Sequence, residues 1–357
     1  VRDGAVIGEG FHAELGGLHA ERAALADCRE RSEDPAGATM YVTLEPCAHQ
    51  GRQPPCAEAI LEAGIGRVVI ASDDPSEKAA GRGPGILRDG GVEVAFAAGA
   101  EATAARRLNQ PFRKHARTGL PLVILKLAMS LDGRTRTAPD DSPWISGEQS
   151  RALVHRWRAE SDAIAVGIGT VLADDPLLTA RRPDARQPLR VVFDSQAHLP
   201  LDSQLLATLD QSPVLVVTSS DAAAGRLSAL REAGAEVMVA GGSTPGDRVS
   251  SALADLGRRG VTSLFLEGGQ TLASAFAAAN QLDESRTFIA SVLLAPSTSD
   301  SRAGGAVAGV PRGAEAALPP STVGDAAATG PARLSALEAH TEKVGEDTLI
   351  TARFKEW

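Results

Sequence analysis

Aromatic side chains are scarce in this 357-residue chain: they make up 3% of it, with one Tyr and three Trp. Any core must therefore rest on Ala, Val, Leu and Ile. Cysteine is nearly absent as well. Three residues exclude a disulfide framework, and two of them read as ligand thiolates rather than a bonded pair. No apolar run approaches the roughly 20 residues needed to span a bilayer, and no signal-like segment opens the chain, so a cytoplasmic protein is expected. Positive charge is not in excess. A formal net charge of −9 argues against a nucleic-acid partner, because no basic stripe exists to neutralise phosphates. Small phosphorylated substrates remain compatible, since they need only two or three well-placed cations. No Gly-x-Gly-x-x-Gly follows a strand, which removes the ordinary dinucleotide fingerprint.

What is present is 43% apolar residues in a chain too long for one ordinary core, which points to two domains. Val1, the turn Arg2-Asp3-Gly4 and Ala5 to Ile7 read as strand residues, so more chain is expected upstream. Met40 to Leu44 and Arg67 to Ala71 read as buried strands. Leu18 to Cys28 and Cys56 to Ala63 read as helices, the second opened by Pro54-Pro55 and stopped by Gly64. Glu101 to Arg117 reads as a polar helix and linker. From Pro121 a second alternation begins. Its expected strands are Leu122 to Leu127, Ala163 to Val166, Leu189 to Phe193, Val214 to Thr218, Val237 to Ala240 and Ser263 to Leu266. Helices are expected between them at Gln149 to Glu160, Ala222 to Ala233, Val249 to Arg259 and Thr271 to Ala279. The pattern predicts two α/β domains, over residues 1–115 and 120–357, the second with a mostly parallel sheet. Residues 296–332 are dense in Ala, Gly, Pro, Ser and Thr and read as a low-complexity insertion. Thr348 to Phe354 reads as a closing strand.

The chemistry of the first domain is carried by His19-Ala20-Glu21, Pro46-Cys47 and Cys56. One imidazole and two thiolates make three zinc ligands and leave the fourth position open for water, which distinguishes a catalytic site from a closed structural one. Cys56 falls at a helix start, where the dipole favours thiolate. Glu21 is the proton shuttle of this reading, as in zinc nucleobase deaminases. A structural site would need a fourth protein ligand, for which His49 and the more distant Cys28 are the candidates. Cys28 on its helix reads better as a small buried hydrophobe.

Cys47 and Cys56 are separated by Ala-His-Gln-Gly-Arg-Gln-Pro-Pro, longer than the Cys-x-x-Cys of cytidine or RNA-adenosine deaminases. The run Thr43-Leu-Glu-Pro-Cys-Ala-His-Gln-Gly-Arg-Gln-Pro-Pro-Cys56 resembles the bifunctional deaminase/reductase family of riboflavin biosynthesis. That resemblance implies a cytidine-deaminase-like three-layer domain with zinc on His19, Cys47 and Cys56 and Glu21 as proton donor. It puts His49, Arg52 and Asp74 against the pyrimidine phosphate. Gln50 stands where the family has a second His. Asp74-Pro75-Ser76-Glu77 stands for the family's Asp-Pro-Asn-Pro, and Gly81-Arg82-Gly83 matches the family a few residues further on.

Three clusters extend the resemblance into the second domain: Ser130-Leu-Asp-Gly133, Gly167 to Arg181 with its Thr-Val-Leu-Ala-Asp-Asp-Pro, and Glu267-Gly-Gly-Gln-Thr271. Taken singly, each also passes as a turn or a solvated surface. Together, in this order, they are similar to the family's reductase half, whose fold resembles dihydrofolate reductase. The resemblance implies NADPH contacts from Ala128, Trp144, Thr170, Asp174, Ser195 and the loop Gly269, Gln270, Thr271, Leu272, Ala273, Ser274 and Ala275. It implies substrate contacts from Lys126, Ser142, Arg158, Leu178, Arg181 and Glu267, with Arg158 and Arg181 suited to a ribose phosphate. Two sequential reactions are then expected: hydrolytic deamination of a phosphorylated ribosylaminopyrimidine, followed by reduction of its ribosyl chain to ribityl. A homodimer or higher homo-oligomer through the reductase domain is expected too. The family's Ala-Pro-Lys-Leu-Leu-Gly-Gly is replaced by Ala290-Ser-Val-Leu-Leu-Ala-Pro-Ser. The alternatives are a working deaminase whose second domain binds without turnover, and a non-catalytic zinc-stabilised pyrimidine-phosphate binding protein.

Overall fold

A computed structural model describes residues 1–14, 16–51, 53–77, 79–135, 144–182, 185–294 and 334–357. The chain divides into two compact units. One holds residues 1–122, 257–262 and 357, the other 123–256 and 263–356. Among the described residues no helix is long and apolar enough to cross a membrane. The expected insertion at 296–332 lies outside the described residues.

The first unit is built on a three-stranded parallel sheet, β1 (Thr39–Val42), β2 (Arg67–Ile70) and β3 (Glu93–Phe96), in the order β1-β2-β3. Helices α1 (Ala20–Glu30), α2 (Cys56–Glu62) and α3 (Arg82–Asp89) connect it, followed by α4 (Gly99–Leu108) and α5 (Gln110–Thr118). Its core joins Leu25 and Cys28 of α1, Ile60 of α2, Leu87 of α3 and Val68 and Ile70 of the middle strand, all buried. No aromatic ring enters this cluster. The polar helix expected over Glu101 to Arg117 is two helices that meet at Asn109, with Pro111 in the first turn of α5. Proline suits a helix start because it has no N–H to leave unpaired. The sequence reading missed α3 and β3. Gly81, Gly83, Gly85, Gly90 and Gly91 dilute the periodic signal there.

The second unit holds a nine-stranded sheet. Its strands are β4 (Leu122–Ser130), β5 (Ala163–Gly167), β6 (Leu189–Phe193), β7 (Val214–Thr218), β8 (Glu236–Val239), β9 (Ser263–Leu266), β10 (Glu284–Ala290), β11 (Glu338–Val344) and β12 (Asp347–Arg353). The order is β11-β12-β10-β4-β9-β5-β6-β7-β8. β10 pairs parallel with β4 and antiparallel with β12, and β11 pairs antiparallel with β12. Strands β5, β7 and β9 are buried on both faces, as strands covered by helices must be. The covering helices are α6 (Glu148–Glu160), α7 (Ile168–Asp174), α8 (Gln204–Ala207), α9 (Ala224–Glu232), α10 (Pro245–Arg258) and α11 (Gln270–Ala278). The sequence reading missed β10 and β11. Their charged and polar residues (Glu284-Ser-Arg-Thr287, Glu338-Ala-His-Thr-Glu-Lys343) hide the strand pattern, and only pairing across the sheet makes them strands.

One feature of α6 is set from far along the chain. Gly147, its N-cap, has no side chain to offer. The Asp347 carboxylate fills that role, accepting the Gly147 N–H at 2.8 Å and the Ser150 hydroxyl at 2.5 Å. Asp347→Ala leaves a buried hydroxyl and a helix-start amide without their acceptor. It should cost about 2 kcal/mol, seen as a lower urea midpoint at unchanged slope.

Candidate active sites

In the first unit, both helices that carry metal donors begin at the donor. His19 is the N-cap of α1 and Cys56 is the first residue of α2, behind Pro55. The positive ends of two helices therefore converge on one point. Cys47 reaches it from the loop after β1, held there as its carbonyl accepts the Ala57 N–H and its sulfur accepts the Cys56 N–H at 3.3 Å. His19 Nδ1 lies 3.6 Å from Cys47 Sγ and 3.4 Å from Cys56 Sγ. A tetrahedral zinc at ordinary bond lengths requires nitrogen and sulfur ligands about 3.6 Å apart, so the donor set fits zinc. The hydrogen bond from Cys56 pushes Cys47 down to about 5, and the same bond together with burial pushes Cys56 up.

Among the described residues these three are the only cluster able to hold a metal. Cys28, a candidate fourth ligand, instead donates to the Glu33 carbonyl within the core. His49 is not in the cluster, and its Nδ1 is buried without a hydrogen-bond partner. Glu21, in the first turn of α1, is 8% exposed. Burial raises its carboxyl above the usual range, and the Cys47 charge adds to this. Such a group accepts and returns a proton nearer neutrality than a solvated glutamate. Arg52 lies outside the described residues.

Sequence reasoning missed Glu45 and Arg113, which help hold the loops in place. Glu45 is buried against the backbone of Asp74 and Gly81, and burial raises its carboxyl above the usual range. Asp74 caps its own loop, its Oδ1 accepting the Ser76 N–H at 2.8 Å. Arg113, 2% exposed, donates to Ser72 Oγ and to the Asp73 carbonyl and carboxylate. Gly83 is the tightest point. A Cβ there would lie 1.9 Å from the Pro46 carbonyl oxygen, one residue before Cys47. Gly83→Ala must displace either α3 or the ligand loop. Zinc affinity should fall about 10- to 100-fold, read as the metal retained after dialysis against graded chelator.

In the second unit, the residues expected around cofactor and substrate gather at the carboxyl ends of four adjacent strands, β4, β9, β5 and β6. Lys126 and Ala128 lie on β4. Glu267 follows β9 and leads through Gly268 into α11, whose N-cap is Gly269. Thr170 and Asp174 lie on α7 after β5, and Ser195 follows β6. Ligands of open α/β sheets sit at this edge, and the amides opening α11 offer donors for an anion. Trp144 is 57% exposed, with the Arg151 guanidinium over its ring at 5.1 Å. Ser142 lies outside the described residues.

Arg158 on α6 is bonded to Glu267 by both arms, Nε to Oε1 at 2.6 Å and Nη2 to Oε2 at 3.0 Å, while Nη1 reaches the Thr179 carbonyl. Burial alone would raise Glu267, but Arg158 and Lys126 outweigh it and hold its carboxyl below the usual 4.5. Burial pushes the Lys126 ammonium down, against the pull of Glu267. Leu178 is buried and Arg181 exposed. His155, one helical turn before Arg158, was missed. Burial, Arg158 and Arg181 lower it, and its Nδ1 is buried without a partner.

A histidine and a thiolate on helix starts, with a second thiolate from a loop and a buried glutamate beside them, joined to a parallel-sheet unit with a ligand-binding edge, define a zinc-type hydrolytic deaminase coupled to a second catalytic domain. Residues 1–72 match the cytidine and deoxycytidylate deaminase zinc-binding region, and residues 121–298 match the RibD C-terminal domain. The chain belongs to the RibD family of riboflavin biosynthesis, bifunctional enzymes with a zinc-binding deaminase domain and a reductase domain. It is 43% identical to riboflavin biosynthesis protein RibD of Actinobacillus pleuropneumoniae over 76% of this chain and 71% of that one. With the Escherichia coli K12 protein it shares 37%, over 82% and 80%. Among solved structures it is similar to Acinetobacter baumannii RibD, with TM-score 0.76, 33% identity and coverage of 100% of this chain and 91% of that one. It is likewise similar to a Thermotoga maritima diaminohydroxyphosphoribosylaminopyrimidine deaminase/5-amino-6-(5-phosphoribosylamino)uracil reductase, with TM-score 0.75, 30% identity and coverage of 99% and 90%.

Proposed function

We propose that the first unit deaminates a diaminohydroxyphosphoribosylaminopyrimidine by hydrolysis and that the second reduces the resulting 5-amino-6-(5-phosphoribosylamino)uracil with NADPH, opening the ribosyl ring to a ribityl chain. The observation that carries the first half is the convergence of His19, Cys47 and Cys56 with Glu21 buried beside them. Zinc, held by those three residues, supplies the Lewis acidity that makes water nucleophilic at neutral pH. Glu21 takes a proton from the attacking water and returns it to the departing amine, which leaves as ammonia. His49, Arg52 and Asp74 line the seat of the pyrimidine phosphate.

In the second unit the cofactor carries the hydride chemistry and the protein orients two rings and excludes water. The segment Gly269 to Ala275, whose first amides are open at the start of α11, would hold NADPH with Ala128, Trp144, Thr170, Asp174 and Ser195. Leu178, Ser142 and Arg181 seat the substrate. Arg158, spent on Glu267, orients that carboxylate toward the ribosyl chain, and Lys126 beside it donates or stabilises a proton. Arg181, exposed beside the site, is then the guanidinium with most freedom to meet the phosphate. The domains are assigned to residues 1–115 and 120–357. We place the reactions in the cytoplasm, since two of the three cysteines serve as ligands, and the active form as a homodimer through the reductase unit.

The test is direct. Full-length protein is analysed for zinc, then supplied with the diamino substrate while ammonia release and NADPH absorbance are followed together. Zinc with ammonia release followed by NADPH oxidation supports the whole reading. Ammonia without any NADPH loss rejects the reductase half, and zinc without ammonia rejects the deaminase half.

A further inference from the structure

Residues 176–181 form no helix or strand, yet the middle of this stretch is inside the second unit: Leu178 is 2% exposed, Thr179 6% and Ala180 0%. Its backbone is also strained. Asp175, Leu178 and Arg181 have φ values of +37°, +54° and +49°, in the left-handed region that side chains other than glycine rarely occupy. Three such residues within seven positions persist only where the surroundings impose them, and such strain gathers at ligand clamps. Buried backbone outside regular structure must also find partners for its polar groups.

Here side chains supply those partners. Gln204 donates its backbone N–H to Asp175 Oδ1 at 2.9 Å and its side-chain amide to the Asp175 carbonyl at 2.6 Å. Arg158 donates to the Thr179 carbonyl, and the Ala180 N–H donates to Gln187 Oε1 at 2.9 Å. The Leu177 carbonyl, directly before the strained leucine, accepts Arg190 Nη1 at 3.2 Å. Arg190 stands on β6 and is wholly buried. Nη1 and Nη2 also donate to Thr208 Oγ1 at 2.7 Å, the Thr208 carbonyl at 2.9 Å and the Ser212 carbonyl, while Nε is buried without a partner.

A guanidinium in this place is costly to bury, and burial lowers it to about 10. It stays charged at neutral pH, solvated by carbonyls. An apolar side chain of the same size would not substitute, because it would strand those acceptors in the interior. The cation therefore ties two separate segments, at residue 177 and at the turn 208–212, to one strand.

From this geometry we infer that Arg190 is a positioning residue of the reductase site: it holds the strained segment 175–181 in the conformation that presents Leu178 and Arg181 to the pyrimidine phosphate. The presentation rests on the function proposed above; the ordering of the segment does not. Arg190 itself is buried behind the segment and takes no part in the chemistry.

The experiment uses the full chain with Arg190→Met and Arg190→Lys. Steady-state NADPH oxidation, ammonia release and backbone amide exchange over residues 175–181 are each measured. For Arg190→Met the KM for the deaminated ribosylaminopyrimidine phosphate should rise on the order of tenfold or more, with kcat and the KM for NADPH within about twofold. Arg190→Lys should recover part of that loss, since one ammonium can still meet one or two of the carbonyls. Ammonia release should not change, and amide exchange at 177–181 should quicken in the order wild type, Lys, Met.

An unchanged substrate KM overturns the inference. So does a fall in kcat with KM unaltered, or a matching loss of ammonia release, which would mark general unfolding. Should the wild type itself oxidise no NADPH, the functional reading fails, and the ordering of the segment is judged by exchange alone: equal exchange in all three proteins overturns it.

Discussion

Glu21→Gln should abolish ammonia release, by about 10³-fold within the range of general acid–base catalysis, while zinc content stays at the wild-type level. The reason is geometric. Glu21 is in the first turn of α1, buried at the metal cluster but not part of it, since the three atoms that converge are His19 Nδ1 and the sulfurs of Cys47 and Cys56. Glutamine matches the carboxylate in size and keeps a hydrogen-bonding oxygen, so packing and metal binding survive. What is lost is a group able to exchange a proton, whose affinity for that proton is raised by burial. A non-catalytic zinc scaffold has no use for such a carboxylate. Metal analysis and an ammonia assay on the same preparation check the result, and NADPH oxidation on pre-deaminated substrate serves as the internal control. Loss of zinc in this variant would move Glu21 from proton shuttle to ligand.

Glu267→Ala should have the largest effect in the second unit, about 3–5 kcal/mol of stability with loss of NADPH oxidation. Arg158 and Glu267 are only 12% and 10% exposed as side chains, and their bidentate bond satisfies both. Removing the carboxylate leaves a largely buried guanidinium and the Lys126 ammonium facing each other with no counter-charge. Glu267→Gln, which keeps the shape, should fold better yet still lose activity. The pH dependence has a definite sign. Because the folded Glu267 carboxyl is held below its usual 4.5, its stabilising contribution is complete above 4.5 and is lost as the pH falls through the folded value. The stability difference between wild type and Glu267→Gln should therefore be constant near neutrality and shrink below about pH 4.5. Urea midpoints for both proteins across acidic pH measure this, and a difference that grows on acidification would contradict it.

The parts legible in the sequence share one property: they are local. The strands at Leu189–Phe193, Val214–Thr218 and Ser263–Leu266 match their expected bounds, because an apolar run flanked by Gly, Pro and charge carries its own pattern. The cluster of His19, Cys47 and Cys56 was legible because thiolate and imidazole chemistry is rare enough to be specific, and the long Cys47–Cys56 loop narrowed the class. Polar strands such as β10 and β11 were not, since alternation cannot be read where both faces are hydrophilic. Arg158 shows the limit at a single residue. Residue type makes it a phosphate binder, and only its fork lying along Glu267 reveals that its charge is already matched.

By itself, then, the sequence determined which residue types carry the chemistry, that zinc and an α/β layer fold are involved, and where most elements begin. Tertiary structure alone decided which charges are spent on each other, which strand borders which, why Gly83 tolerates no Cβ beside Pro46, and how a buried Arg190 ties down a strained segment. The physical reason is range. Propensity and periodicity act over a few neighbours along the chain, whereas pairing, desolvation and steric exclusion depend on residues a hundred or more positions apart, such as Arg158 and Glu267 or Gly147 and Asp347, whose proximity exists only once the chain has folded.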